Sequence, residues 1–203
     1  MSTDSPRFWD ETWAETGAMG SGSDDLLAEH VERLAPARAL EIGCGLGGNA
    51  VWLANNGWHV TAVDYSAVAI DKARQLAAEA GVSVDFVVAD ASIYQPPEKF
   101  ELIITFFIQL FPALRAAMLA NMAQALAPRG TLLFVSHDKS GSPSGWTEED
   151  LLGLTDPEEI VEEIPSLRIE QASVLEDGGG EHAEHDEPGS HGARTTVIRA
   201  VRP

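Results

Sequence analysis

The stretch "ALEIGCGLGGNA" at residues 39–50 constrains this chain more than any other. Ala39, Leu40 and Ile42 read as a buried strand, and Gly43, Gly45, Gly47 and Gly48 then crowd into six residues. Each glycine costs conformational entropy on folding, so such crowding marks a backbone that something approaches closely. A strand that feeds a glycine turn and then a helix offers backbone N–H groups and a helix N-terminus to a ligand.

The segments on either side repeat that strand-to-helix order. Asp24 is placed to cap a helix in "DLLAEHVERLA", "RALEIG" is the first strand, and "NAVWLANNG" is a helix stopped by Gly57. "HVTAVDYS" is a second strand, followed by the helix "SAVAIDKARQLAAEAG" with Ser66 as N-cap and Gly81 as stop. "VDFVVADAS" and "FELIITFF" are the third and fourth strands. "PALRAAMLANMAQALAPRG" is a helix and "TLLFVSH" the fifth strand. Strands alternating with helices imply right-handed crossovers and a parallel sheet. The tail differs: a polar loop from Asp138 to Trp146 and an acidic helix near Pro157–Glu163 lead to "LRIEQASVLE" and "TTVIRAVR". The linker between these two, "DGGGEHAEHDEPGSHGA", is too polar and Gly-rich for a crossover helix, so an antiparallel hairpin at the sheet edge is expected. The whole chain, residues 1–203, reads as one α/β domain.

Composition narrows the partners. A chain of 203 residues that is 44% hydrophobic buries a sizeable core as one domain. A formal net charge of −19 argues against nucleic-acid binding, which needs a basic surface. Between Glu148 and Glu187 stand 15 acids and one basic residue, Arg168, which suits a solvated surface. The longest apolar run, "LIITFFIQLF", is too short to span a bilayer, and "MSTDSPRFWDE" has no export-signal pattern. With the single Cys44 unable to form an internal disulfide, a cytoplasmic location is expected. His182, His185 and His191 lie in the Gly-rich acidic linker without the spacing of a closed site, so no metal is expected. No G-x-S-x-G supports a hydrolase.

Gly43, Gly45 and Gly48 also satisfy G-x-G-x-x-G, the dinucleotide fingerprint, and Asp64 lies 21 positions after Gly43, where a ribose-binding carboxylate belongs. A nicotinamide-dependent oxidoreductase therefore stays open on those residues. Two acids separate the readings. Glu41 extends the turn to E-x-G-x-G-x-G, and Asp90 closes the third strand, where a carboxylate accepts from an exocyclic adenine amine or serves only as a turn residue.

As an ordered set, "LEIGCGLGG", "VTAVDYS", "VVADAS", "FELIITFF" and "LAPRGTLLFV", over about residues 39–136, resemble class I S-adenosylmethionine-dependent methyltransferases. "FWDETW" and the two tail strands are similar to the small tellurite-resistance and thiopurine types. The resemblance implies a single-domain, Rossmann-like, seven-stranded, mostly parallel sheet with an antiparallel last strand and helices on both faces. It implies that Gly43, Gly45 and Gly47 pass beneath the cofactor, with Glu41 orienting the turn or meeting the amino-acid end. Asp64 would take the ribose hydroxyls, Asp90 with Ala91 the adenine, and Trp13, Tyr65 and Phe106 would complete the cofactor contacts. The acceptor would meet Phe107, Gln109 and Trp146, at the carboxyl ends of strands, with His137 and Asp138 as acid/base candidates. A small thiol or chalcogen nucleophile is the expected acceptor, with a small amine or hydroxyl compound, or a non-catalytic cofactor-binding module, as alternatives. Glu101 departs from the family pattern, in which many members carry Asp, and no catalytic base is evident there. Phe8, Trp9 and Trp13, followed by a Gly/Ser run from Gly17 to Ser23, make residues 1–23 a candidate lid. The same aromatics would otherwise staple the N-terminus to the outside of the sheet.

Overall fold

The computed structural model describes residues 5–15, 24–141, 151–175 and 194–203. Two helices, α1 (Pro6–Glu15) and α2 (Asp25–Val31), come before the sheet. There follow β1 (Arg38–Ile42), α3 (Gly48–Asn55), β2 (His59–Asp64), α4 (Ala67–Ala80), β3 (Asp85–Val88) and β4 (Phe100–Phe106). The chain continues through α5 (Pro112–Ala125), β5 (Leu126–His137), α6 (Pro157–Glu163), β6 (Arg168–Leu175) and β7 (Thr195–Val201).

All seven strands join one sheet in the order β3-β2-β1-β4-β5-β7-β6. β1 to β5 are mutually parallel, and β7 is antiparallel to both of its neighbours, β5 and β6. The chain starts at β1 in the centre, winds outward through β2 and β3, then returns across β1 to β4. The reversal opens a crevice at the carboxyl ends of β1 and β4, where sheets of this kind bind ligands. The glycine turn after β1 opens into that crevice.

Both faces of the sheet are covered, which explains why its central strands read as continuous apolar runs. On one face Met118, Leu119 and Met122 of α5 and Ile160 of α6 pack on Phe100, Ile103, Phe134 and Ile198. On the other, Leu27 and Leu53 pack with Leu102, Ile104, Leu133 and Val197. Phe134 and Leu133 are fully buried on opposite faces, and each such side chain contributes roughly 1.5–3 kcal/mol. α4 forms where its caps predict: the Ser66 hydroxyl accepts from the Ala69 amide, and Gly81 ends the helix with φ 69°.

Two expectations need correction. The helix over residues 112–130 stops at Ala125, and the fifth strand begins at Leu126 rather than Thr131. Pro128 has no N–H and forces Ala127 out of the helical region, so the chain enters the sheet early. Its pairing with β4 shifts register between Phe100 and Leu102. The third strand ends at Val88, short of Ser92, because the Asp90 carboxylate draws the Ser92 amide into a turn at 2.8 Å. The aromatic stretch "FWDETW", whose secondary structure the sequence left open, lies in a regular helix, α1. The acidic helix and the antiparallel β6–β7 pair form as expected. Among the described residues, no helix is long and apolar enough to cross a membrane.

Candidate active site

Gly43, Gly45 and Gly47 all adopt positive φ, at 74°, 50° and 81°. The amides of Gly43 and Cys44 donate to the Val63 carbonyl at 2.8 and 3.0 Å, which pins the turn to the end of β2. Gly47 is needed for space as well as for conformation, and Gly43 sits in a tight spot. A Cβ at Gly47 would lie 2.8 Å from the Ala73 Cβ on α4, and one at Gly43 would lie 3.0 Å from Ile108 Cδ1. Gly48 is absent from the left-handed set and begins α3.

Glu41 points into this turn and is 2% exposed. The Asn49 side chain and the Ala50 amide hydrogen-bond its carboxyl, yet Oε2 is buried without a partner among the described residues. Burial pushes the carboxyl up to about 8, with the Asp64 charge adding to the effect. Asn49 was missed from sequence; its Oδ1 also accepts the Asp24 amide at 2.9 Å, tying α2 to the turn.

Asp64 ends β2 and takes the Gly45 amide on Oδ2 at 2.8 Å and the Ser66 amide on Oδ1 at 2.9 Å. Burial raises its proton affinity, against those bonds. Each oxygen keeps a second lone pair for a ligand hydroxyl. Tyr65, next in the chain, is half-buried. Across β2 and β3, Asp90 accepts the Ser92 amide and hydroxyl on Oδ1 at 2.8 and 2.7 Å, with half-buried Ala91 between them. Asp90 is thus a turn residue in this structure, and its Oδ2 takes no hydrogen bond within the described residues.

α1 lies across the start of α4. Asp10 Oδ1 accepts the Ser66 hydroxyl at 2.5 Å and the Val68 amide at 3.3 Å. Lys72 Nζ donates to the Trp13 carbonyl at 2.6 Å. Trp13 stacks on Trp9, and its indole reaches within 3.3 Å of where a Gly45 Cβ would stand. Sequence reasoning found the aromatics and missed Asp10 and Lys72, whose partners lie 56 and 59 residues away. No local pattern encodes such pairs.

At the carboxyl end of β4, Phe106 is buried and Phe107 turns into the left-handed region with φ 53°. A bulky residue there is strained by about 1–3 kcal/mol, and such strain concentrates at ligand sites. The Phe107 ring lies 4.7 Å from the His137 imidazole and 6.4 Å from Phe106, centroid to centroid. Half-buried Gln109 follows in the loop. Burial lowers the proton affinity of His137, which favours the neutral imidazole. Asp138 does not face that ring. Its Oδ1 takes the Ser140 amide at 2.8 Å and the Ser140 hydroxyl, and its Oδ2 takes the Thr196 hydroxyl at 2.6 Å. Those bonds hold its carboxyl below the usual range despite burial. Glu101 pairs with Arg38 at 3.0 Å at the start of β4, away from the crevice. Trp146, Gly17–Ser23 and His182, His185 and His191 lie outside the described residues; among the described ones no cluster of His, Cys, Asp and Glu suits a metal.

Comparison with known proteins identifies the family. Residues 39–130 match a family model described as a methyltransferase domain. The chain is 32% identical over 156 residues to probable thiol methyltransferase 2 of Arabidopsis thaliana, covering 70% of this chain and 68% of that protein. It is 30% identical over 146 residues to thiocyanate methyltransferase 1 of the same plant, covering 66% of this chain and 64% of that one. The fold matches the N-methyltransferase NodS of Bradyrhizobium japonicum WM9 in complex with S-adenosyl-L-homocysteine, with a TM-score of 0.67 at 22% identity over 88% of this chain and 84% of that one. The residues present fit such a cofactor: an unpartnered buried carboxyl oxygen at Glu41 suits an ammonium, glycines leave the backbone bare, and Asp64 suits vicinal hydroxyls. The chain belongs to the S-adenosylmethionine-dependent methyltransferases.

Proposed function

We propose that the protein methylates a small soft nucleophile, a thiol or a chalcogen anion. The observation that carries this reading is the acceptor end of the crevice, where Phe107 and a largely buried, neutral His137 meet ring to ring. When bound, S-adenosylmethionine supplies a methyl group that is already electrophilic on its sulfonium. The chain's task is then alignment and exclusion of water, and good alignment alone gains about 7–11 kcal/mol. Phe106, Phe107 and Trp13 supply apolar and aromatic surface around the crevice, which tolerates a polarisable sulfur anion and favours a sulfonium. A thiol needs at most a weak base, since its ordinary pKa is about 8.5. His137 Nε2 or Nδ1 would accept that proton, and Asp138, engaged with Ser140 and Thr196, would hold the turn rather than the imidazole. On the cofactor side, Glu41 would meet the amino-acid end, Asp64 the ribose, and Asp90 with Ala91, Tyr65 and Phe106 the adenine. The thiol and thiocyanate methyltransferases among the relatives support the same acceptor class.

A panel of small thiols, hydrosulfide, thiocyanate, amines and phenols, assayed for S-adenosylhomocysteine release, tests the reading. Turnover is expected with the sulfur compounds first. His137→Gln should slow protonated thiols near neutral pH while sparing pre-ionised anions. Turnover confined to amines, phenols or macromolecules would overturn it.

A further inference from the structure

The chain carries 13 cationic residues against 32 acids, and four of them, Arg129, Arg168, Arg199 and Arg202, line one groove of about 290 Å³. The groove lies where β5 and β6 begin and β7 ends, at the opposite end of the sheet from the glycine turn. Leu34, Thr131, Glu170, Val201 and Pro203 complete its lining. Glu170 is the one acidic side chain among the described residues that line it.

Two of the four arginines have clear work in the fold. Arg199 donates from Nε to Glu170 at 3.0 Å and from Nη1 to the His30 carbonyl at 2.7 Å. Arg202 donates from Nη1 to the carbonyls of Gln124 and Leu126 at 2.9 and 2.6 Å, closing the end of α5. Both are held in place with further N–H groups to offer. The other two are not explained by packing. Arg168 pairs with Glu170 at 2.8 Å while its side chain is 62% exposed. Arg129 makes no side-chain hydrogen bond or ion pair within the described residues, although its backbone is left-handed with φ 63°. It follows Pro128 near the start of β5, and positive φ favours Gly or Asn over a bulky side chain. An arginine there breaks the local rule at a conformational cost with no contact in return, and such breaks mark functional positions. The backbone itself is fixed, with the Arg129 amide on the Arg202 carbonyl and the Arg202 amide on the Gly130 carbonyl, both at 3.0 Å.

We propose that this groove binds a small oxyanion, the phosphate or sulfate group of a small molecule, held between the four guanidinium groups. Planar guanidinium forks match tetrahedral oxyanions with paired hydrogen bonds. A chain with net charge −19 repels anions at long range, so a local concentration of four arginines around one carboxylate is what anion capture here requires.

The test is calorimetric titration of the whole protein with inorganic phosphate and pyrophosphate, against chloride at matched ionic strength. Saturable binding is expected. Arg129→Gly removes one guanidinium and relieves the left-handed arginine, so it should fold at least as stably, keep methyl transfer unchanged, and bind phosphate roughly tenfold or more weakly. Arg168→Gln should show a similar loss, and Arg74→Gln, on the far α4 surface beside Asp71, none. Absence of saturable binding, or native affinity retained in both Arg129→Gly and Arg168→Gln, would sink the proposal. Binding to phosphatidylglycerol vesicles without binding to free phosphate would also overturn it.

Discussion

At the level of single residues, Glu41 holds its proton up to about pH 8 because it is buried beside Asp64. A folded value above the unfolded one means that the native chain binds the proton more tightly. The contribution to stability is full below the ordinary value of 4.5 and is lost as pH rises toward about 8. Each unit of such a shift is about 1.4 kcal/mol, so the loss is on the order of a few kcal/mol. Denaturant unfolding at pH 5 and pH 9 should show a fall for the native chain and a flatter profile for Glu41→Gln; parallel profiles would refute it. Asp64→Ala removes the acceptor for the Gly45 and Ser66 amides and a partner for the cofactor. It should weaken S-adenosylhomocysteine binding by about 1.5–3 kcal/mol in calorimetry, and an unchanged Kd would remove Asp64 from the site. These residues were legible because the turn, Glu41 and Asp64 are local in sequence and chemically distinctive. The left-handed backbone of Phe107 and Arg129 was not, since neither residue type announces positive φ.

At the level of elements, α1 is the clearest gain over the sequence. The three aromatics suggested either a lid or a staple, and the structure shows the contacts that hold them: Asp10 on the start of α4 and Lys72 on the end of α1. Asp10 adds a second acceptor to a helix that Ser66 already caps. Asp10→Ala should therefore cost about 1 kcal/mol of stability, the usual worth of a cap. If α1 closes over the cofactor through Trp13, the same variant should also weaken S-adenosylhomocysteine binding and lose the protection of α1 from protease that ligand confers. Weakened stability with unchanged affinity and cleavage would leave α1 a plain staple. The α5–β5 boundary was misplaced for an instructive reason. Apolar spacing continues through "QALA", Pro128 then bars the helix, and the pairing of Leu126 with Phe100 across the sheet sets where the strand begins.

Across the whole molecule, strand and helix alternation was enough to predict a parallel sheet, and the polar linker enough to predict a closing antiparallel pair. The family resemblance implied an antiparallel last strand, but the position of β7 between β5 and β6 came only from the structure, because pairing across that distance leaves no mark in local sequence. The place of that strand has a consequence for the order of synthesis. β6 leaves the ribosome before β7, yet among the described residues its one neighbour in the sheet is β7. Until Thr195–Val201 emerges, β5 stands as an open edge and β6 has nothing to pair with. Unpaired edges invite pairing with other chains. The acids that dominate the sequence from Glu148 to Glu187 are translated during that interval, and like charge on neighbouring chains works against such pairing until the last strand slides in.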